Sequence, residues 1–180
     1  MEERIALCYS KASEDELTKG SLWYPEGAFF ASELALKYNK TPLQVCGIIS
    51  ALSPLKRWDE NKKLAEEFLK GKRYGHFPTQ IEKCKLLLKE KNYLKAKVIL
   101  GGLKTINFFD ALLHPENPYS LVVDRHIIKV ATGENIDRFG NKLYKQVKQA
   151  YLNVSKDLNI LPNCTQATTW LTFKRLENRY

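Results

Sequence analysis

Apolar residues recur at intervals of three and four along most of the chain, which is the spacing of one face of an α-helix. The same spacing predicts helices at residues 27–38, 92–100, 104–113, 141–158 and 165–178. The clearest stripe comprises Leu143, Val147, Ala150, Tyr151 and Val154. Asn-Gly and Asp-Gly turns between alternating segments do not occur in the sequence. The pattern therefore predicts an all-α fold of about eight to ten helices.

Capping signals add helix starts to this pattern. The capping box Thr41-Pro42-Leu43-Gln44, with proline at the first helical position, predicts a buried helix over residues 41–52. Thr79-Gln80-Ile81-Glu82 repeats the capping box and predicts a second start. Asp59 is expected to cap a third helix. Glycine and proline predict surface loops at residues 71–78, 115–119 and 133–140.

An acid, a base and a histidine interrupt the apolar run SLVVDRHIIKV at residues 120–130. Helical spacing resumes after Asp124 and ends at Gly133, which is the arrangement of an N-cap and a C-terminal glycine. Asp124 is therefore predicted to cap a short buried helix, a role that needs no further function. Arg125 and His126 then lie in the first turn, where a cation is unfavourable unless it faces an anion.

A glycine pair, Gly101 and Gly102, precedes Lys104 and Thr105 in the segment ILGGLKTINFFDAL. A tight turn between two helices, followed by a basic residue at the next helix start, presents backbone N–H groups that can hold a phosphate. The alternative is an ordinary helix connection, because glycine is also a common way to end a helix.

Charge and cysteine usage narrow the class of protein. The chain of 180 residues suits one domain and has 29 basic against 20 acidic side chains, hence a net charge of +9 and a pI near 9.3. Nucleic acid is the commonest polyanionic partner of such a domain, and a generally basic protein is the alternative. The four scattered cysteines, without C-x-x-C or H-E-x-x-H, predict reduced thiols and no metal ligated by side chains. We find no signal peptide or membrane span in the sequence and expect a cytoplasmic protein.

Three motifs occur in order: residues 47–65, G-x-K-T-x-N at residues 102–107 and V-D-x-H-I at residues 123–127. Together they resemble the helix-hairpin-helix DNA glycosylases, the superfamily of endonuclease III and oxoguanine glycosylase. A closer resemblance, over about residues 21–175, is to small bacteriophage members of that superfamily. The residues that carry it are Ala51, Leu52, Ser53, Pro54, Trp58, Asn61, Lys83 to Leu87, Gly102, Lys104, Thr105, Phe108 and Val123 to His126.

The resemblance implies two helical lobes with a cleft between them: a central lobe of about residues 40–120, and a second lobe of residues 1–39 and 121–180. It implies no iron–sulfur cluster, since only Cys164 lies near the C-terminus, and it allows a monovalent cation at the hairpin. The hairpin departs from the family's L-P-G-V-G, because this chain reads VILGG with Leu100 and no proline. That departure argues against ordinary anchoring of a duplex by the hairpin.

The resemblance also assigns residues to a site. Asp124 matches the carboxylate that stabilises an oxocarbenium-like sugar or activates the attacking group, and Lys104 matches the Schiff-base lysine of bifunctional members. DNA contacts are expected at Gly101, Gly102, Thr105, Lys56, Arg57 and Arg125. The expected base pocket or wedge comprises Leu55, Trp58, Asn107, His126, Trp23, Tyr24, Gln166 and Trp170. Each of these has a structural alternative, such as packing of Trp58 in the core.

The resemblance therefore predicts a DNA glycosylase-like enzyme that cleaves the N-glycosidic bond of a modified or damaged base, with or without a lyase step. Two alternatives are an enzyme that tailors hypermodified bases of phage DNA and a catalytically silent DNA-binding protein. We expect a monomer whose partner is DNA, in the cytoplasm of a phage-infected bacterium.

Overall fold

The computed structural model describes residues 1–72 and 77–177, and every regular element within these ranges is an α-helix. This confirms the predicted all-α class. The ten helices of the described ranges are α1 Glu2–Ser10, α2 Glu14–Lys37, α3 Pro42–Leu52, α4 Trp58–Leu69, α5 Pro78–Leu87, α6 Tyr93–Leu100, α7 Leu103–Leu113, α8 Arg125–Thr132, α9 Asn141–Leu158 and α10 Pro162–Leu176. Residues 73–76 of the predicted loop 71–78, and residue 178 of the predicted helix 165–178, lie outside the described residues.

The chain divides into two compact units. Unit 1 comprises Met1–Glu26 and the described residues from His114 onward, and unit 2 comprises Gly27–Leu113. The first boundary falls inside α2, which contributes residues 14–26 to unit 1 and residues 27–37 to unit 2. The resemblance implies two lobes with boundaries near residues 40 and 120, which stays a prediction.

Unit 1 is built around α1, α8, α9 and α10, each of which packs against the other three. The predicted stripe of α9 faces inward: Val147 and Tyr151 are fully buried, while Leu143 at its edge is half-buried. Ile5 of α1 and Ile127 of α8 are fully buried as well. Burial of each such side chain stabilises the fold by roughly 1.5–3 kcal/mol.

Unit 2 is built around α3, which packs against α4, α5, α6 and α7. Every residue from Gln44 to Leu52 is buried, as expected for a helix that is apolar on all sides. The predicted capping box is confirmed: Thr41 Oγ1 accepts from the backbone N of Gln44 at 3.3 Å, and Gln44 Oε1 accepts from the backbone N of Thr41 at 2.9 Å.

Two other predicted caps are wrong. Helix α4 begins earlier than predicted, with Arg57 at the N-cap, so Asp59 lies inside the first turn and pairs with Lys62 at 2.9 Å. Helix α5 begins at Pro78 rather than after Thr79. Proline fixes a helical φ and lacks the N–H that a first-turn residue leaves unpaired, so the helix starts at Pro78 without a side-chain cap.

The sequence does not predict α1 or residues 14–26 of α2. Pro25 lies inside α2 and argues locally against a continuous helix, because it provides no N–H for the Ser21 carbonyl. The Cys164 thiol of α10 donates to that carbonyl instead, with a sulfur–oxygen distance of 3.8 Å. A partner distant in sequence therefore helps the helix to pass through Pro25.

Candidate functional site

Asp124 is the N-cap of α8, as predicted. Its Oδ1 atom accepts hydrogen bonds from the backbone N of His126 at 2.9 Å and of Ile127 at 3.0 Å. Its Oδ2 atom has no hydrogen-bond partner among the described residues, and the side chain is half-buried. The carboxylate is thus oriented through one oxygen while the other is available.

The extended segment before Asp124 is fixed by α9. The Tyr144 hydroxyl accepts from the backbone N of Val123 and donates to the carbonyl of Leu121, both at 3.3 Å. At the far end of α8, Gly133 ends the helix with a φ of 83°, a conformation that favours glycine. The segment before Asp124 and the helix after it are therefore both fixed, and together they position this residue. Tyr144 is not part of the apolar stripe predicted for this helix, so its role at Asp124 was missed from the sequence.

The charge of Asp124 acts on the interior of unit 1. Burial first, and then the negative charge of Asp124, raise the pKa of the Tyr24 hydroxyl well above its usual value. Burial also raises the pKa of Tyr151, and Asp124 adds to that increase. The Tyr24 hydroxyl donates to Gln166 Oε1 at 2.8 Å. The phenols near Asp124 consequently stay protonated and can serve as hydrogen-bond donors.

Four of the predicted base-pocket residues meet in pairs between α2 and α10. Tyr24 and Gln166 form the buried hydrogen-bonded pair, and Trp23 and Trp170 form an edge-to-face pair with ring centroids 5.1 Å apart. Both indoles are half-buried, and the Lys174 ammonium lies 3.9 Å from the Trp170 ring centroid. These contacts are typical of helix packing, and they leave part of each indole accessible.

Arg125 and His126 follow the cap in the first turn of α8. Arg125 is exposed and makes no ion pair or hydrogen bond with any described residue. His126 is half-buried, and its backbone N donates to Asp124. Arg125 is therefore available to an anion, as its unfavourable place at a helix N-terminus suggested.

In unit 2, the predicted glycine turn joins α6 and α7. Gly101 has φ 76° and ψ −47°, and the backbone N of Gly102 donates to the Leu100 carbonyl at 3.0 Å, which closes a turn suited to glycine. Both glycines are exposed, while Thr105 Oγ1 donates to the Gly102 carbonyl at 2.9 Å. The Lys83 ammonium donates to the Leu100 carbonyl at 2.6 Å, so a cation of the chain itself already lies at this turn.

Lys104 lies in the first turn of α7 and is half-buried. Its ammonium makes no ion pair or hydrogen bond with any described residue. Asn107, also predicted to face a base, is buried, and its Nδ2 donates to the Leu103 carbonyl of its own helix at 2.8 Å. The structure therefore leaves Lys104 accessible and ties Asn107 into α7.

A polar cluster that the sequence does not reveal clamps α6 to α7. Asp110 accepts from the Tyr93 hydroxyl at 2.7 Å and from the Lys97 ammonium at 2.8 Å. The Tyr93 ring also stacks on Phe109, with centroids 5.7 Å apart. Asp110 is only 8% exposed whereas the Lys97 side chain is 28% exposed, so a partly desolvated ion pair joins α6 to α7.

The loop before α4 separates the two predicted wedge residues. Leu55 is 82% exposed and has a φ of 60°, a left-handed conformation that costs a branched residue roughly 1–2 kcal/mol. Lys56 and Arg57, beside it, are also exposed. Trp58 is half-buried and packs edge-to-face with Phe108, with ring centroids 6.1 Å apart. Leu55 thus projects, whereas Trp58 contributes to the core of unit 2.

The predicted site residues are distributed over both units. Asp124, Arg125, His126, Trp23, Tyr24, Gln166 and Trp170 belong to unit 1, and Lys104, Gly101, Gly102, Thr105, Asn107, Leu55, Lys56, Arg57 and Trp58 belong to unit 2. The joint action of Asp124 and Lys104 stays a prediction. Residues 1–72 and 77–177 contain no group of three His, Cys, Asp or Glu side chains that could hold a metal ion.

Comparison with known families gives a match along almost the whole chain. Residues 1–177 match DUF7178, a family of unknown function. The chain belongs to this family. No curated protein and no solved structure matches this DUF7178 chain. In addition, no helix of the described residues is long and apolar enough to cross a membrane.

Proposed function

We propose that the protein is a DNA glycosylase-like enzyme that breaks the N-glycosidic bond of a modified or damaged base. The observation that carries the proposal is the geometry of Asp124, which is held through Oδ1 by two backbone N–H groups and keeps Oδ2 available. A carboxylate so fixed stabilises positive charge that develops on a sugar without having to reorient during the reaction.

In the proposed reaction the bond between C1′ and the base nitrogen breaks, and its electron pair leaves with the base. Asp124 stabilises the cationic sugar, and water then adds to C1′ and gives its proton to Oδ2. In the lyase branch the neutral amine of Lys104 attacks C1′ in place of water and gives one proton to Asp124. The C1′–O4′ bond then breaks, O4′ takes that proton, and the protonated Schiff base between C1′ and the lysine nitrogen forms. The accessible position of Lys104 in the first turn of α7 supports this branch.

The loop before α4 supports a role on duplex DNA. An enzyme that acts on a base must extrude it from the stack, and an apolar side chain often fills the gap. Leu55 is exposed on a short loop in a conformation that leucine rarely adopts, with cationic residues directly after it. Strained residues of this kind are concentrated at functional sites.

The test is incubation of the protein with duplexes that carry modified pyrimidines or purines, and with phage DNA, followed by borohydride. We expect release of at least one base, a fall of about 100-fold or more in Asp124→Asn, and loss of the covalent adduct in Lys104→Met. Asp137→Asn and Lys95→Met, which change exposed residues in a loop and on α6, are the matched controls.

Other outcomes point to other functions. Absence of both base release and adduct on every substrate would overturn the proposal. A changed nucleoside mass without base release would indicate a base-modifying enzyme. Binding to DNA that survives Asp124→Asn, with no chemistry on any substrate, would indicate a silent DNA-binding protein.

A further inference from the structure

The outer side of α9 carries positive charge that its own helix does not balance. Lys142, Lys145, Gln146 and Gln149 are exposed and lie opposite the buried stripe of this helix. No Asp or Glu occurs between residues 141 and 156. We name these four exposed residues the α9 polar face.

Lysines on several other helices are paired with acids one turn away. Lys19 pairs with Asp15 at 2.7 Å, and Lys85 is paired within α5 at 2.5 Å. By contrast, Lys142 and Lys145 make no ion pair or hydrogen bond with any described residue. The excess positive charge of the chain is therefore not spread evenly: no described acid pairs with it at the start of this face, whereas Glu2 and Glu3 of α1 lie beside Gln146 and Gln149 farther along.

The turn of α9 that carries these lysines is attached to the segment before Asp124. Tyr144 lies between them in the sequence, and its inward hydroxyl is hydrogen-bonded to the backbone of Val123 and Leu121. The contact that positions the approach to Asp124 thus also fixes the first two turns of α9. An anion bound to the outer side of these turns would be held at a defined place on unit 1.

The charge is concentrated at the start of the face. At its later end, Gln149 Nε2 donates to Asn153 Oδ1 at 2.9 Å, and Asn153 Nδ2 donates to Glu2 Oε1 at 2.6 Å. From Lys142 to Gln149 the helix rises about 10 Å, at roughly 1.5 Å per residue. One strand of duplex DNA presents about three phosphates over that length.

We propose that the α9 polar face binds the phosphate backbone of duplex DNA. Lys142 and Lys145 supply the charge, and Gln146 and Gln149 supply amide donors, as is common in contacts to phosphate. The inference rests on the proposed DNA substrate and deepens it, because it assigns backbone binding to a helix outside the glycine turn. Such contacts fix the position of the DNA and contribute affinity without reading sequence.

The test compares Lys142→Ala/Lys145→Ala with Lys19→Ala/Lys85→Ala, which removes the same charge from exposed but paired lysines. Binding of the full chain to a short unmodified duplex is measured over a range of salt concentrations. We expect the α9 variant to bind about tenfold more weakly, and the slope of log K against log salt to fall by about 1.8, or roughly 0.9 per lost contact. The control variant should bind within about twofold of wild type, and thermal unfolding verifies that both variants fold.

Equal losses in the two variants, or no loss in the α9 variant, would overturn the inference. A loss for single-stranded RNA without a loss for duplex DNA would also overturn it. Base release at saturating protein separates the inference from the proposed function. If loss of the lysines weakens duplex binding but wild type releases no base, only the glycosylase proposal fails. If base release depends on Asp124 but duplex binding is unchanged in the α9 variant, only the α9 proposal fails.

Discussion

Asp124 is both a helix cap and the candidate catalytic carboxylate, and two substitutions separate these roles. Asn caps a helix as well as Asp does, whereas Ala cannot accept the hydrogen bonds from His126 and Ile127. We expect Asp124→Ala to lower the free energy of unfolding by about 1 kcal/mol, and Asp124→Asn by less than about 0.5 kcal/mol. Urea denaturation measures both changes. Equal losses would mean that the charge, rather than the cap, stabilises α8.

The ionisation of Glu16 is coupled to a buried contact in unit 1. Its carboxylate accepts from Arg175 Nε at 2.8 Å and from Thr172 Oγ1 at 3.2 Å, and only 6% of the residue is exposed. The hydrogen bond from Arg175 is the main reason that the pKa of Glu16 falls from 4.5 to about 2. Because folding lowers this pKa, the stabilisation is complete above the unfolded value and is lost as pH falls through the folded value.

We therefore expect the free energy of unfolding to fall between about pH 5 and pH 2 by about 2 kcal/mol more in wild type than in Glu16→Gln. Urea denaturation at a series of pH values measures this difference. Glu66→Gln is the matched control, because the pKa of Glu66 is also lowered to about 2, but its side chain is 28% exposed and its ion pair is screened by water. A pH dependence in Glu16→Gln that equals that of wild type would contradict the assignment.

Residues whose role is set by their neighbours in sequence could be predicted, and those joined over long distances could not. Asp124 was found because an N-cap is a local feature. The Tyr24–Gln166 hydrogen bond joins residues 142 positions apart, so Tyr24 could be proposed for a base pocket only by residue type. The left-handed φ of Leu55 has no local signal, since glycine or asparagine is the usual choice there.

Among the elements, α2 and α10 lie in close contact at Gly20. A Cβ atom built at Gly20 would lie 2.8 Å from both the backbone N and Cα of Thr168. These are backbone atoms of α10, so a helix rather than a side chain must move. We expect Gly20→Ala to lower the free energy of unfolding by about 1–3 kcal/mol despite the better helix propensity of Ala.

The matched control for Gly20→Ala is Gly140→Ala. A Cβ atom at Gly140 meets no atom within 4 Å, and the φ of −88° suits any residue. Its effect should stay below about 1 kcal/mol, the difference between glycine and alanine at an N-cap. Chemical denaturation measures the free energy of unfolding of both variants. Equal destabilisation would show that α10 moves away from the new Cβ atom at Thr168 at little cost.

Helix existence could be predicted better than helix ends. Helix α9 was recognised because its apolar stripe runs through most of its length, and α3 because its capping box is complete. The starts of α4 and α5 were misplaced because a helix can begin without a side-chain cap. Water can accept hydrogen bonds from the first N–H groups, and a proline in the first turn has no N–H to pair. The N-terminal half of α2 was missed because its tolerance of Pro25 depends on a contact from α10.

At the scale of the whole molecule, the helical class could be predicted from the sequence pattern, whereas the exact boundary between the units has no signal in the sequence. The class is determined by periodicity, which every long helix repeats. The unit boundary at residues 26/27 lies inside one continuous helix, where neither composition nor a loop marks it. The net charge of +9 predicts a polyanionic partner, but only the structure distinguishes paired lysines from those of the α9 polar face.

Two buried thiols can report the opening of unit 2 as a whole. Cys46 of α3 is 1% exposed and Cys84 of α5 is fully buried, and burial raises the pKa of each thiol to about 12. Near pH 8 these groups are almost entirely protonated, and no reagent can reach them in the folded state. Alkylation of either thiol therefore requires opening of the core.

We expect Cys46 and Cys84 to become reactive to iodoacetamide at the same urea concentration, because α3 and α5 share one apolar core. Peptide mapping after pulses of reagent measures the extent of labelling at each site. Cys164 of unit 1 is half-buried and serves as the control for access of the reagent, since it should be labelled at lower urea. Labelling of Cys84 at clearly lower urea than Cys46 would mean that α5 detaches while α3 stays packed. Helices α6 and α7, which follow α5, would then open without loss of the central helix α3.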